Sequence, residues 1–164
     1  MSRTTAPLAA LVLVVVVLQA TVVARLRLPG APPDLVLATV VAVGLLAGSR
    51  TGMLTGFAAG LLSDATADHA LGRLAAAYVL VGAAAGLLEG HVDSRLVVPA
   101  LAGGGAAFVA VVGYAVEGVV LGDPRATGGA LWHSLAAAVP YCAALTPVVV
   151  PPVGALLRRA DRRP

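Results

Sequence analysis

Residues 48–64 read GSRTGMLTGFAAGLLSD, with a glycine at every fourth position and an aspartate at the last step. This ladder consists of Gly48, Gly52, Gly56, Gly60 and Asp64. In water the segment would be a poor helix, because each interior glycine costs about 1 kcal/mol relative to alanine. In a bilayer, small residues four apart form a ridge on one helix face, and the ridge lets another backbone approach closely. The stretch therefore predicts a tightly packed helix in a membrane bundle.

The composition of the whole chain also indicates a membrane protein. Of its 164 residues, 59% are hydrophobic and 12% are charged, and the mean hydropathy is +0.95. A soluble domain normally carries about 25% charged residues. The length suits one integral membrane domain over residues 1–164 and leaves no room for a sizeable soluble domain.

The positive charge of the chain is concentrated near its end. All 11 basic residues are arginine, and the formal net charge is +3. Four of the arginines lie in the last seven residues, beside an apolar segment. This pattern is typical of a cytoplasmic membrane flank rather than of a nucleic-acid-binding surface. The single cysteine, Cys142, excludes an internal disulfide.

Apolar runs predict an all-α, polytopic bundle of about six transmembrane helices. A span needs about 20 apolar residues, with a usable range of about 17–25. The second and third runs are short, and together they would form one long helix with Arg50 at its centre. Burying an arginine there costs at least about 2.5–3.5 kcal/mol, and residues 48–52 have turn chemistry. We therefore expect a turn at Arg50 and spans at 7–24, 34–47, 52–63, 73–88, 96–120 and 131–157.

Arginine placement favours a cytoplasmic C-terminus but leaves the number of spans open. With six spans and both termini inside, seven of the 11 arginines lie inside and four outside. A five-span chain with its N-terminus outside gives seven against three and leaves Arg50 in the membrane. The charge count does not separate the two topologies, and the burial cost of Arg50 favours six spans.

A second glycine ladder follows in the next apolar run, at Gly82, Gly86 and Gly90. Two consecutive spans with glycine ridges and a short loop between them predict a tight antiparallel hairpin. The alternative for both ladders is a sliding or hinged surface. We favour close helix packing, with Gly52, Gly56, Gly60, Gly82 and Gly86 as packing or partner-interface positions.

Two carboxylates and an imidazole lie at or just after the end of the first ladder, and a third carboxylate lies in a later span. Asp64, Asp68 and His69 have the ligand chemistry of a metal site. However, no fourth ligand and no zinc spacing accompany them, so we favour helix capping and a solvated loop and predict no metal. Glu117 near the end of the fifth span is a functional candidate by default. For Glu117 we favour hydrogen bonding at the membrane interface or between helices. Asp64 and Glu117 therefore join the predicted packing or partner-interface residues.

The chain carries no recognisable catalytic or cofactor motif. It has no Gly-x-Ser-x-Gly elbow, no His-Glu-x-x-His and no phosphate loop. His133 and Ser134 are adjacent, which places their side chains about 100° apart on a helix and does not suit nucleophile activation. We therefore expect a protein that is not an enzyme and uses no cofactor.

The order of these residues resembles the MreD family of rod shape-determining membrane proteins. The resemblance rests on Leu18-Gln19 at the end of a first span, Pro33-Asp34-Leu35 at the start of the second, the ladder from Gly52 to Asp64, Leu71-Gly72, and Tyr78 before a glycine-rich span. It covers nearly the whole chain. The segment from Gly52 to Gly72 is moderately specific, and the rest is hydropathy and order.

The resemblance implies a non-enzymatic scaffold of the cell-elongation machinery in the bacterial cytoplasmic membrane. It implies a fold similar to the substrate-binding subunits of energy-coupling-factor transporters, with about six helices. The implied partners are MreC, MreB filaments, a RodA-type glycosyltransferase and a penicillin-binding transpeptidase, together coupled to peptidoglycan synthesis. The alternative function is a solute-binding subunit of an energy-coupling-factor type transporter.

Overall fold

The computed structural model describes residues 4–26, 32–66, 72–91, 94, 96–120 and 129–161, with all their side chains except those at 114, 117, 120, 129, 130 and 161. Every regular element in these ranges is helical. The helices are α1 (Thr5–Thr21), a short 3-10 turn (Val23–Arg25), α2 (Leu35–Asp64), α3 (Arg73–Gly86), α4 (Val97–Val120) and α5 (Gly129–Asp161).

Helix α2 folds back on itself at Gly48. This residue has φ 77° and ψ 173°, a non-helical conformation that only glycine adopts readily. It divides α2 into α2a (35–47) and α2b (49–64). In a straight helix Asp34 and Gly56 would lie about 33 Å apart, at 1.5 Å per residue. Instead, the Asp34 carboxylate bonds the Tyr78 hydroxyl, while Gly56 packs on the Tyr78 backbone. The chain therefore reverses direction at Gly48.

The first half of α2 forms the centre of the bundle. Every residue from Val36 to Leu45 is buried, and several have no exposed surface. A helix that is apolar on all sides belongs in the interior, since it has no polar face to present. Helices α1 and α5 cover one side of α2a through Leu8, Val149 and Val153. The central position of α2a follows from its run of valine, leucine and alanine, which only Thr39 and Gly44 interrupt.

The other helices pack as antiparallel neighbours. Helix α3 lies along α2b, and α4 lies along α5. Gly103 of α4 faces Cys142 and Thr146 of α5, while the next residue, Gly104, faces Val139 and Ala143. Helix α5 continues through four prolines, at positions 140, 147, 151 and 152. Prolines are tolerated in membrane helices where neighbouring groups compensate the lost hydrogen bonds.

The outer surface of the bundle is apolar. Leu13, Val14, Leu54 and Phe57 are each more than half exposed. Soluble monomers rarely carry large contiguous apolar patches, whereas membrane proteins present them to lipid. Three described helices are long and apolar enough to cross a bilayer, at Thr5–Arg25, Leu35–Asp64 and Leu131–Ala160, and two shorter apolar helices cover Arg73–Gly86 and Val97–Gly113. The protein is thus an all-α bundle of membrane type.

The helix bounds differ from the predicted segments mainly around Arg50. The predicted turn covered Gly48 to Gly52, but the break occupies Gly48 alone, and Arg50 is exposed in the first turn of α2b. One residue with positive φ is enough to reverse the chain. The second ladder is also shorter than predicted, because α3 ends at Gly86. Gly90 has φ 80° in the following turn, with open space around it, and does not extend the ridge.

Candidate functional site: a glycine seam and its polar cap

The glycines of α2b press directly against the backbone of α3. A Cβ atom added to Gly52 would overlap the carbonyl of Gly82, and one added to Gly56 would overlap the carbonyl of Tyr78. A Cβ on Gly60 would meet the backbone of Ala75. From Gly52 to Gly60 the residue numbers of the contacted α3 residues fall from 82 to 75, so the two helices are antiparallel. We call this contact the glycine seam.

The seam continues to the bend in α2. A Cβ on Gly86 would overlap the backbone of Ser49, and the Ser49 hydroxyl donates a 2.9 Å hydrogen bond to the Ala83 carbonyl. A Cβ on Gly44 would lie 2.8 Å from the Gly82 carbonyl oxygen. That oxygen therefore sits between the two halves of α2. The backbones of α2a, α2b and α3 therefore approach one another closely at the Gly82 carbonyl, because Gly44 and Gly52 carry no side chain.

Asp64 caps the start of α3 from the far end of α2b. Its side chain is 1% exposed. It accepts hydrogen bonds from the backbone N–H groups of Gly72 at 2.8 Å, Leu74 at 3.1 Å and Ala75 at 3.2 Å. The first N–H groups of a helix have no partner within the helix, and a carboxylate there also interacts favourably with the helix dipole. Asp64 thus accepts hydrogen bonds from N–H groups at the start of α3, while the glycine seam packs α3 against α2b.

Asp34 links the start of α2a to α3. One oxygen, Oδ1, accepts a 2.8 Å hydrogen bond from the Leu37 N–H and caps α2, while Oδ2 accepts a 2.6 Å bond from the Tyr78 hydroxyl. Gln19 of α1 bonds the residues on either side of Asp34: its side chain donates to the Pro33 carbonyl at 3.0 Å and accepts from the Leu35 N–H at 2.9 Å. We call Gln19, Asp34, Asp64 and Tyr78 the polar cap.

Helices α4 and α5 join this arrangement at Cys142. Its thiol lies 3.9 Å from the Asp34 carbonyl oxygen, within hydrogen-bonding range for sulfur. The Thr146 hydroxyl donates a 2.7 Å bond to the Cys142 carbonyl, and a Cβ on Gly103 would overlap the Thr146 side chain. The prediction did not include Gly103. It belongs to a run of three glycines with no step of four, so spacing alone did not distinguish it from its neighbours.

The remaining predicted residues fall elsewhere. Glu117 lies on α4, but its side chain is outside the described part, and Asp68 and His69 also lie outside the described residues. Trp132 is 71% exposed near the start of α5, a position that suits a membrane-interface anchor. Within the described ranges, no group of three or more His, Cys, Asp or Glu side chains is placed to hold a metal ion.

A groove of about 490 Å³ lies between α1 and α2b, beside the bend. Gln19 contacts Leu35 while Leu8 clusters with Ala42 and Val43, so α1 runs antiparallel to α2a. Because α2 reverses at Gly48, α1 and α2b point the same way, and the groove begins at the first turn of each. Its lining residues are Thr4, Thr5, Leu8, Ala9, Val12, Arg50, Thr51, Leu54, Thr55 and Ala58.

The described geometry therefore offers a rigid helix junction and a separate lateral groove. Four of the polar groups that stand out in the sequence make hydrogen bonds between helices or to helix ends. No protein-family model, curated protein or solved structure matches the chain.

Proposed function

We propose that this protein is a non-enzymatic scaffold of the bacterial cell-elongation machinery, of the MreD type. The observation that carries the proposal is that the resemblance residues act together. Gln19, Asp34, Asp64 and Tyr78 come from separate parts of the chain, yet all hold helix ends or helix pairs at the polar cap. A set of residues with one shared structural task supports a scaffold, whose role is to hold helices in a fixed arrangement.

The proposed topology has six membrane spans with both termini in the cytoplasm. The reversal at Gly48 supports it, because Arg50 then lies at a membrane face instead of the bilayer centre. Helices α2a and α2b are each shorter than the roughly 17 residues of a usual span, so their separate crossing requires local thinning of the bilayer or burial by neighbouring helices. In this topology the polar cap lies toward the outside. The proposal includes a fold similar to energy-coupling-factor substrate-binding subunits and a location in the bacterial cytoplasmic membrane.

The proposed partners are MreC, MreB, a RodA-type glycosyltransferase and a penicillin-binding transpeptidase. A scaffold needs a fixed shape and exposed surfaces for neighbouring helices. The glycine seam supplies a rigid hairpin, and its outward side presents Leu54, Phe57 and Leu61, which are 64%, 53% and 43% exposed. In membranes, helices associate by close packing rather than by the hydrophobic effect, so a preformed surface is an advantage.

Co-purification tests the proposal directly. The tagged protein is expressed with MreC, solubilised in mild detergent and isolated by its tag. The wild-type protein is expected to retain MreC. Gly56→Leu should lose it, because the side chain would collide with the Tyr78 backbone, whereas Gly105→Leu should retain it, because Gly105 faces open space. Absence of MreC from the wild-type preparation contradicts the scaffold role. Retention by Gly56→Leu contradicts the role of the seam.

The alternative, a solute-binding transport subunit, requires a polar pocket toward the outside. Asp34 and Asp64 cap helices. The other acidic or imidazole groups that the six-span topology places toward the outside are Asp68, His69 and Asp123, and they lie outside the described residues. Nothing in the described part of the chain therefore favours this function. A thermal-shift screen of the purified protein against vitamins separates the two: a specific stabilisation at micromolar concentration would reverse the ranking.

A further inference from the structure

We propose that the groove between α1 and α2b binds an anionic phospholipid, with the lipid phosphate at Arg50 and an acyl chain along the deeper part. The proposal does not depend on a role in cell elongation. It requires only that the bundle lies in a membrane, which its apolar helices indicate.

The groove changes character along its length. Thr4, Thr5, Arg50 and Thr51 lie at the end formed by the first turns of α1 and α2b. The residues further along both helices are mainly apolar, with Leu8, Val12 and Leu54 among them and the small Ala9 and Ala58 leaving room. From Arg50 to Ala58 the groove follows about 12 Å of helix. A polar end followed by an apolar channel matches an amphiphile that lies parallel to the helices.

Charge selects the headgroup. Arg50 is exposed, and it is the one charged side chain among the described residues that line the groove. Glu89 is the nearby acidic group: its carboxylate would lie 2.5 Å from a Cβ on Gly48, at the α3 side of the bend, and it is not a lining residue. A guanidinium with hydroxyl groups around it suits a phosphate, which it can bind through two parallel N–H donors.

The groove has the size of a small-molecule site. Its volume, about 490 Å³, falls within the range of about 300–1,000 Å³ that is usual for such sites. Leu54 is 64% exposed at the edge, so the groove opens sideways toward the bilayer and a lipid can enter from it.

The test is native mass spectrometry of the purified full-length protein with two lipids that share acyl chains. Both lipids carry a phosphate, but only dioleoyl phosphatidylglycerol has a net negative headgroup, so it is expected to bind about fivefold more tightly than zwitterionic dioleoyl phosphatidylcholine, the effect of one arginine at an anionic membrane surface. Arg50→Gln should remove this preference and Arg50→Lys should keep most of it. The matched control is Arg25→Gln, an exposed arginine just beyond the other end of α1, which should leave the preference unchanged.

Filling the groove provides a second measurement. Ala58→Trp should weaken the binding of both lipids, because the indole would occupy the apolar part of the groove where the acyl chain lies. The proposal is overturned if the wild-type protein shows no headgroup preference, or if Arg50→Gln and Arg25→Gln behave alike. It is also overturned if the preference survives in Arg50→Gln, or if a partner protein's helix instead of lipid is cross-linked to the groove. Arg50 is exposed, so its variants test the site even if Ala58→Trp does not fold.

Discussion

Gly52 and Gly82 meet backbone to backbone, and a Cβ added to either residue would overlap the carbonyl oxygen of the other. This reciprocal contact lies where α2a, α2b and α3 converge, since the Gly82 carbonyl also approaches Gly44. Neighbouring groups here are backbone atoms, which cannot rotate away as a flexible side chain can. The hairpin therefore depends on the absence of side chains at these positions.

Gly52→Ala is expected to destabilise the protein by about 1–3 kcal/mol, the usual cost of overpacking a tight contact. Gly105→Ala adds the same methyl group in open space on α4 and should be neutral or stabilising by up to about 1 kcal/mol, because alanine favours a helix. Reversible unfolding in mixed detergent measures both variants. Equal stability of the two would show that the seam tolerates a side chain.

Gly48→Ala should also destabilise, but for a different reason. Gly48 has φ 77° and ψ 173°, a conformation that costs a non-glycine residue about 1–3 kcal/mol, and a methyl group there would also meet the Glu89 carboxylate. The Gly48→Ala, Glu89→Ala double variant separates the two causes by the same unfolding measurement. If the loss persists in the double variant, backbone conformation is responsible. A Gly48→Ala protein as stable as the wild type would contradict the bend.

Asp64→Ala is expected to cost about 1–3 kcal/mol, since it leaves buried N–H groups at the start of α3 without their acceptor. Asp64→Asn should cost less, because the amide oxygen still accepts a hydrogen bond. The control is Thr66→Ala, two residues further along the chain, where the side chain is exposed. Hydrogen exchange at the first turn of α3 gives the local readout. Unchanged protection in Asp64→Ala would argue against the capping role.

The bond between Tyr78 and Asp34 should show energetic coupling. A double-mutant cycle with Tyr78→Phe and Asp34→Ala isolates the interaction, because each change removes one partner and the lost Leu37 cap is common to both Asp34→Ala proteins. A hydrogen bond to a charged group contributes about 1.5–3 kcal/mol, and we expect a coupling energy within that range from the thermal unfolding of the four proteins. A value near zero would mean that the 2.6 Å contact adds nothing to stability.

The spacing of the glycines indicates which two segments pack together, because a step of four places small residues on one helix face. It does not reveal where the chain turns. Gly48 and Gly52 both bound the predicted turn, and the backbone angles show that Gly48 alone forms the bend, whereas Gly52 packs in the seam as predicted. Gly90 was assigned to the second ridge for the same reason, since its positive φ has no mark in the sequence.

Long-range polar contacts were less accessible from the sequence. Asp64 was a candidate for capping, but the N–H groups that donate to its carboxylate lie at the start of the next helix, and its side chain is buried. The Asp34–Tyr78 bond joins residues 44 positions apart, and no local periodicity predicts it. Gly103 was missed because its tight contact is with Thr146, on a helix that follows much later.

The reversal of α2 is the central claim, and the sidedness of two positions tests it most directly. Single cysteines replace Pro32 and Thr66, both exposed, in a chain where the buried Cys142 is changed to alanine. A membrane-impermeant maleimide is then applied to sealed vesicles of known orientation. If α2a and α2b cross the membrane separately, both cysteines label from the same side, and a cysteine at Arg50 labels from the opposite side. Labelling of Pro32→Cys and Thr66→Cys from opposite sides would mean that residues 35–64 cross once, and would contradict the account.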